Sequence, residues 1–481
     1  MEIKQRRYTL VSILLCFFIA LTSQLTTMIT TVYAAFSLRE VGALSKALTL
    51  SLMGTVVGLP IFSRLADLKG SYFIYSKSLL LFSFCTFLTG FAPNYKWIEW
   101  GAFFIGIFGT PLIPIINRAL RTEERKNISL YIGSTLGIAL LLGPTIVLLL
   151  ISHFGWQVGF WLNVPFGLLS FYLMRSFKEE TVEPSPIFDI WSGILFTLWV
   201  ATFIFILRNM STWEIQSPLT ITMCSLCVGL FVIFLLRENN STKRFFNFHE
   251  FKKTPVIFFV LFNFFIGSVS CFYISLSSIS GILRTNNILY GFCISLVPII
   301  IGMSIGNMIA PKILAKVSIG KCLKWSWLSI VLATVLITIS WSVSPIYIIG
   351  FLFVLLGIPV GVFGPTINSY TYALSPEHRK FGSTILAYFT FKMGGVILLS
   401  CMSYVLLHGF TTYLHINGYY EKFVPEQLLQ ASSKPHLAAI EAFRWVYDVF
   451  SMYLLIITFI FFTISFLKEL KNKKANINQT E

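Results

Sequence analysis

Charge is scarce in this chain. Asp, Glu, Lys and Arg together make up 12% of 481 residues, against roughly 25% in soluble domains. With 56% hydrophobic residues, a water-soluble globule of this length would leave too much apolar surface in contact with water, so an ordinary soluble fold is excluded. Acids are scarcer than bases, 20 against 36, and none of the 20 lies in the central part of any long apolar run. Histidine is limited to six, at 153, 249, 378, 408, 415 and 436, without the spacing of metal ligands or of a catalytic triad. A membrane-embedded enzyme such as an acyltransferase would gather His, Asp or Glu at one membrane face, so the scatter argues against enzymatic chemistry. The eight cysteines fall mostly inside apolar stretches, including Cys224 and Cys227 as a CxxC within a predicted helix. They read as free buried thiols, and no metal or cofactor is expected.

What the chain has is long uncharged runs. Several match the ~20 residues that cross a hydrocarbon core ~30 Å thick, the clearest at 8–38, 215–236, 254–283, 285–311 and 449–467. The first follows Lys4, Arg6 and Arg7, as a secretory signal would, but its 31 uncharged residues exceed the short apolar region of such a signal, and it reads as a span. Backbone groups in lipid must be paired within their own segment, so each run is expected to be a helix. The expected spans are 8–36, 44–63, 72–92, 97–118, 128–151, 157–175, 188–207, 216–236, 254–280, 286–311, 322–341, 346–370, 383–408 and 445–467, fourteen in all.

The net charge of +16 could point to nucleic acid, but its distribution follows the loops. With the N-terminus placed in the cytoplasm and loops alternating between sides, 27 of the 36 Lys and Arg fall on the cytoplasmic side and eight on the other, with Lys392 alone inside a span. A miscounted helix would scramble this bias. The expectation is an all-α integral protein of the inner (plasma) membrane with both termini cytoplasmic, the lipid bilayer as its surroundings and no nucleic-acid partner. The tail from 468 is short, polar and expected to be disordered.

Between spans two and three stands Ser63-Arg64-Leu65-Ala66-Asp67-Leu68-Lys69-Gly70, read as a polar turn in which Asp67 can accept from a helix N-terminus and Gly70 can take a positive φ. Span four carries Gly106 and Pro114 and is followed by Arg121 to Arg125; span five carries Gly137 and Gly143-Pro144. Then comes Trp156-Gln157-Val158-Gly159-Phe160-Trp161-Leu162-Asn163-Val164-Pro165-Phe166-Gly167, the most specific signal in the chain. In the second half stand Pro376-Glu377-His378-Arg379 and Phe391-Lys392-Met393-Gly394-Gly395. The order of these segments, over almost the whole chain, resembles the fourteen-span drug:proton antiporter branch of the major facilitator superfamily. The first segment resembles G-x-L-A-D-R-x-G-R-R, with Ser63 for the leading Gly and Ser71 and Tyr72 for the trailing basic pair. Gly137 and Gly143-Pro144 resemble G-x-x-x-G-P, with Val147 and Leu148 in place of the usual glycines. The tryptophan segment resembles W-R-W-x-F-x-I-N-V-P-x-G.

The resemblance implies two six-helix bundles, at 1–180 and 254–467, two extra helices within 181–253, and the tail at 468–481. It further implies a small-molecule substrate held between the bundles near the midplane, with access alternating by rocking. Arg64, Asp67, Gly70 and Arg125 would then serve the conformational switch, and Gly137, Gly143 and Pro144 the bend and close approach of span five.

The pattern fails in one respect. The family's proton-coupling logic places an acid in span one and an arginine in span four, whereas span one offers only uncharged polar residues and the arginine position falls near Ala102. Protons or another ion remain the possible coupling partners. Candidate cavity residues are Gln24, Thr27 and Thr31 on one face of span one, Asn263 and Ser270 in span nine, and Lys392, the one charge deep in a span. The threonines and Asn263 can equally serve interhelical hydrogen bonds. A buried ammonium needs a partner, a water path or an anionic ligand. The expected activity is efflux of a drug or metabolite by a monomer, the alternative a facilitator or importer of an anionic metabolite such as a carboxylate siderophore.

Overall fold

The computed structural model of the chain describes residues 18, 22–23, 25–38, 40, 44–69, 71–109, 125–174, 190–209, 217–240, 254–341, 345–374, 380–416 and 434–477. They form fifteen helices and no strand. In the first half these are α1 (Leu25–Ser37), α2 (Leu44–Lys69), α3 (Ser71–Thr89), α4 (Tyr95–Gly109), α5 (Arg125–Phe154), α6 (Gln157–Trp161) and α7 (Asn163–Met174). After α8 (Ile190–Asn209) and α9 (Pro218–Asn240) come α10 (Thr254–Thr285), α11 (Ile288–Leu314), α12 (Ile319–Ser340), α13 (Ile346–Leu374), α14 (Lys380–Ile416) and α15 (Lys434–Ile477).

Among the described residues, four stretches are by themselves long and apolar enough to cross a membrane: α9, α11, α12 and Tyr347–Thr366 of α13. The outward surface is apolar, with Phe84 at 59% exposure, Leu149 at 57%, Tyr172 at 68% and Leu332 at 60%. In water such a surface would be strongly unfavourable; facing lipid it is the expected one. Hydroxyls follow the same logic. Thr145 on α5 and Thr202 on α8 are exposed to those surroundings, and each donates to the carbonyl four residues back, Leu141 at 2.7 Å and Leu198 at 2.8 Å.

The packing repeats itself. In the first half α4 lies against α2 and α3, and α3 against α6 and α7; in the second, α13 lies against α11 and α12, and α12 against α15. Two seams join the halves, α5 with α11 and α2 with α14, and they exchange with each other under the same correspondence. Across one end of the molecule Tyr33 of α1 stacks on Phe292 of α11, ring centroids 5.8 Å apart. At the α2–α14 seam Met53 and Val57 meet Met393 and Val396, and Phe196 and Val200 of α8 close over them. Helix α8 therefore touches one helix of each half, while α9 packs chiefly on α8, Trp199 against Phe231 at 4.7 Å.

Within each half the closest pairs are glycine contacts. A Cβ at Gly302 or Gly306 of α11 would overlap the carbonyl oxygens of Val354 and Ile358 on α13, and Gly357 and Gly361 stand in the same relation to α11. The two helices meet as paired small-xxx-small motifs. Gly54 and Gly106 make the equivalent contact between α2 and α4, and Gly267 and Gly394 that between α10 and α14.

Helix boundaries differ from the expectation at several ends. Helix α2 continues to Lys69 and α3 starts at Ser71, so Arg64 and Asp67 stand in the last turns of a helix instead of in a turn segment. The expected span at 157–175 is divided into α6 and α7 at Leu162. Helices α14 and α15 reach to Ile416 and back to Lys434, shortening the connection expected over 409–444. Hydropathy marks where apolar residues stop, whereas helices run on into polar residues as long as their carbonyls find donors.

Substituting Gly302 or Gly361 by Leu should lower the melting temperature of the detergent-solubilised protein or abolish its monodisperse elution, an overpacking cost of about 1–3 kcal/mol. Gly229→Ala on α9, where a Cβ meets nothing within 4 Å, should be neutral or slightly stabilising in the same thermal scan, by up to about 1 kcal/mol.

Candidate substrate site

Helix α1 and the residues just before it present a run of buried hydroxyls, Thr22, Ser23, Thr26, Thr27, Thr30 and Thr31. Several are engaged locally: Thr26 donates to the Ser23 carbonyl at 3.1 Å and Thr31 to that of Met28 at 2.9 Å. Others bind neighbouring helices. Asn163, at the start of α7, donates from Nδ2 to Thr26 Oγ1 at 3.0 Å, and the Tyr95 hydroxyl donates to the Thr31 carbonyl at 3.4 Å. Thr30 Oγ1 and the Tyr33 hydroxyl are shielded and have no hydrogen-bond partner among the described residues. Buried polar atoms of this kind are normally satisfied by water or ligand.

The tryptophan segment proves to be a clamp between α1 and α3. Gly155 turns the chain at φ 86°, a conformation that suits a residue without Cβ. Trp156 and Phe160 then pack edge to face at 6.2 Å, and Gly159 meets Thr30 of α1. On the other side Trp161 donates from Nε1 to the Phe87 carbonyl of α3 at 3.2 Å, and Gly167 lies against Ser83. Pro165 is exposed at the first turn of α7, where its missing N–H is no loss. In α5, Gly143 is buried against Thr22, where a Cβ would stand 2.5 Å from the threonine methyl, and Pro144 is buried beside it.

In the second half the polar residues gather where α10 meets α14. Asn263 donates from Nδ2 to Thr390 Oγ1 at 3.4 Å, and Ser268 donates to the Gly394 carbonyl at 3.0 Å. Ser270 is buried at 5% exposure. Lys392 is also 5% exposed, with Nζ 5.3 Å from the ring centre of Tyr388 and 5.8 Å from that of Phe391. The Cys271 thiol is close enough to feel its charge. On α14, Lys392 stands between Phe391 and Gly394, which touch α10, and Met393 and Val396, which touch α2 and α8. Its place is therefore beside the seam between the halves.

The structure thus puts Thr31 with Tyr95, Gly143 with Thr22 and Asn163 with Thr26 in one half, and Asn263, Ser270 and Lys392 on one helix pair in the other. Thr27 is buried on α1. Gln24 and Gly70 lie outside the described residues, and the surroundings of Arg64, Asp67, Arg125 and Gly137 are not described either. Two residues escaped the sequence reading. Glu99 is only 7% exposed on the face of α4 that carries Tyr95 and Ala102, and Glu238 near the end of α9 is 2% exposed. The spacing of Tyr95, Glu99, Ala102 and Gly106 was the available signal, since it places all four on one helical face. Trp191 is exposed and Trp199 is spent on the α8–α9 contact. Of the CxxC pair, Cys227 is buried and Cys224 exposed, both free.

Residues 10–399 match the sequence model of the Major Facilitator Superfamily. The chain belongs to that family: it is a multi-pass membrane protein and a secondary transporter of small molecules, not an enzyme. Curated relatives include the riboflavin transporter RibZ of Clostridioides difficile, 22% identical over 68% of this chain and 72% of that protein. Another is Multidrug resistance protein 3 of Bacillus subtilis, 24% identical over 54% of this chain and 52% of that one. Among solved structures, an inward-facing, occupied bacterial homologue of the human lysosomal transporter Spinster superposes with a TM-score of 0.60 over 96% of this chain and 97% of its own, at 15% identity. The nucleoside transporter NupG gives 0.57 over 95% and 98%, at 12% identity. At such identities the likeness is one of fold.

Asn163→Leu and Thr26→Val should each lower stability by about 1 kcal/mol, and together by less than the sum. A double-mutant cycle on detergent unfolding midpoints measures the coupling; strict additivity would assign the bond no energy.

Proposed function

We propose that the protein is a fourteen-span transporter of the inner membrane that exports a drug or metabolite by alternating access, with both termini in the cytoplasm. The observation that carries this reading is the pair of exchangeable seams, α5 with α11 and α2 with α14. A molecule held between two such halves faces one side or the other as the seams open at alternate ends. The bundles are 1–180 and 254–467, with α8 and α9 as the additional pair between them. The charge distribution supports the orientation, since 27 of 36 Lys and Arg fall on the side assigned to the cytoplasm. The Tyr33–Phe292 stack then lies toward the outer end.

Efflux is favoured over uptake by the order of antiporter-like segments and by relatives named as multidrug transporters. Arg64, Asp67, Gly70 and Arg125 serve the switch between states, and Gly137, Gly143 and Pro144 let α5 bend and slide. Substrate binds against α1 (Gln24, Thr27, Thr31) and against α10 and α14 (Asn263, Ser270, Lys392). The protein works as a monomer. Its coupling ion is a proton carried outside the usual span-one position or another ion, because span one holds no acid.

Two measurements test this. Reporter fusions at the two ends should both give cytoplasmic signals; ends on opposite faces refute the span count. In inverted vesicles, ethidium or pyrenebutyrate should accumulate when a pH gradient is imposed and leak away when an ionophore collapses it. Uptake of either probe indifferent to the gradient would replace proton coupling by another ion or by facilitated transport.

A further inference from the structure

We infer that the cargo is an amphipathic monoanion, a ring system bearing one acid group, and that Lys392 is the residue that takes its charge. The inference rests on the transporter reading above and narrows it to a substrate class. The first ground is the sign of the charge in the middle of the protein. A cation crossing between the halves needs a carboxylate at depth, yet none of the 20 acids lies in the central part of a span. The two acids buried among the described residues, Glu99 and Glu238, stand near the first turn of α4 and the last turn of α9. The ammonium of Lys392 occupies the middle instead. At low dielectric it attracts an arriving anion strongly and repels a cation as strongly.

Position is the second ground. Lys392 is followed on α14 by Met393 and Val396, which pack against α2 across the seam, so a molecule lodged between the halves comes within its reach. Its own backbone is held fixed: Gly394 and Gly395 seat α14 on α10, with carbonyl and thiol groups where side chains would otherwise be. With the backbone fixed, only the side chain remains to be ordered on binding. The third ground is what surrounds it. The ammonium lies over the rings of Tyr388 and Phe391, 5.3 and 5.8 Å from their centres, so it stands in an aromatic setting that suits a ring-bearing molecule. Thr390, Asn263 and Ser270 add hydrogen-bonding capacity within the same helix pair.

One ammonium is a point charge without the fork that grips a phosphate in two places, which suits a single carboxylate or sulfonate better than a polyphosphate. Arg284, another part-buried base of this half, stands at the end of α10, away from the middle. Its guanidinium donates to the Trp341 carbonyl at the end of α12 and lies 4.8 Å from the Trp341 ring.

The test compares three probes on the full-length protein in nanodiscs: pyrenebutyrate, the neutral pyrenebutanol and cationic ethidium. Pyrenebutyrate should bind at least about tenfold more tightly than pyrenebutanol, the size of one charge-assisted contact. Lys392→Gln should erase that preference, and Lys392→Arg should keep most of it. Equal affinity of the wild type for the acid and the alcohol overturns the proposal, as does tighter binding of ethidium or an unchanged preference in Lys392→Gln. Should the glutamine variant not fold, the wild-type acid-to-alcohol ratio decides alone. Vesicles that move ethidium but not pyrenebutyrate would leave the transporter reading standing and remove this one.

Discussion

Nothing in a hydrocarbon solvent pushes apolar helices together, since lipid tails are as apolar as leucine, so cohesion here must come from backbones brought close. The chain achieves this by omission. Where α11 and α13 cross, four glycines leave each backbone against the other's carbonyls, and Gly54, Gly106, Gly267 and Gly394 do the same elsewhere. Such contacts have no side chains that can shift, and they make the helix pairs within each half into rigid units. The seams between the halves are built differently. Met53, Val57, Met393 and Val396 meet there through flexible or rounded side chains, and Tyr33 lies flat on Phe292. Methionine repacks at little cost. Rigid contacts inside and soft ones between is the distribution that rocking bodies require.

Much of this was legible in the sequence, for a physical reason. The solvent is uniform across the bilayer core, so every span carries the same requirement for length and hydropathy, and the positions of the helices follow. Helix ends were less legible: α2 carries Arg64 and Asp67 within its last turns because the membrane boundary and the helix boundary are set by different forces. Motifs spoke clearly about architecture and poorly about role. The tryptophan segment looks functional by its specificity, yet Trp161 and Gly167 fasten α3 while Gly159 and Asn163 fasten α1. No spacing rule in one chain tells a fastener from a cargo contact, because both need a polar or small residue facing inward.

The charges show the same limit. Lys392 was conspicuous because a base in an apolar run needs a partner, a water path or an anionic ligand. Glu99 was not, because four residues from a helix start an acid is ordinarily a capping or solvated group. Only the packing of α4 against α2 and α3, with Tyr95 reaching across to Thr31, shows that this end of the helix is covered. Asn263 was open between a wet face and an interhelical bond, and its amide donates to Thr390 on the neighbouring helix.

Helix α8 makes the two flanks of the molecule unequal, which its repeated halves alone would not. It lies along the flank where α2 and α14 meet, shielding that line from the surrounding acyl chains, and α9 rides outside it. The opposite flank, where α5 meets α11, has no such cover among the described residues. A hydrophobic solute travelling sideways within one leaflet would meet the α8–α9 pair on the α2–α14 flank, so the two flanks of the transporter differ in the eyes of the membrane.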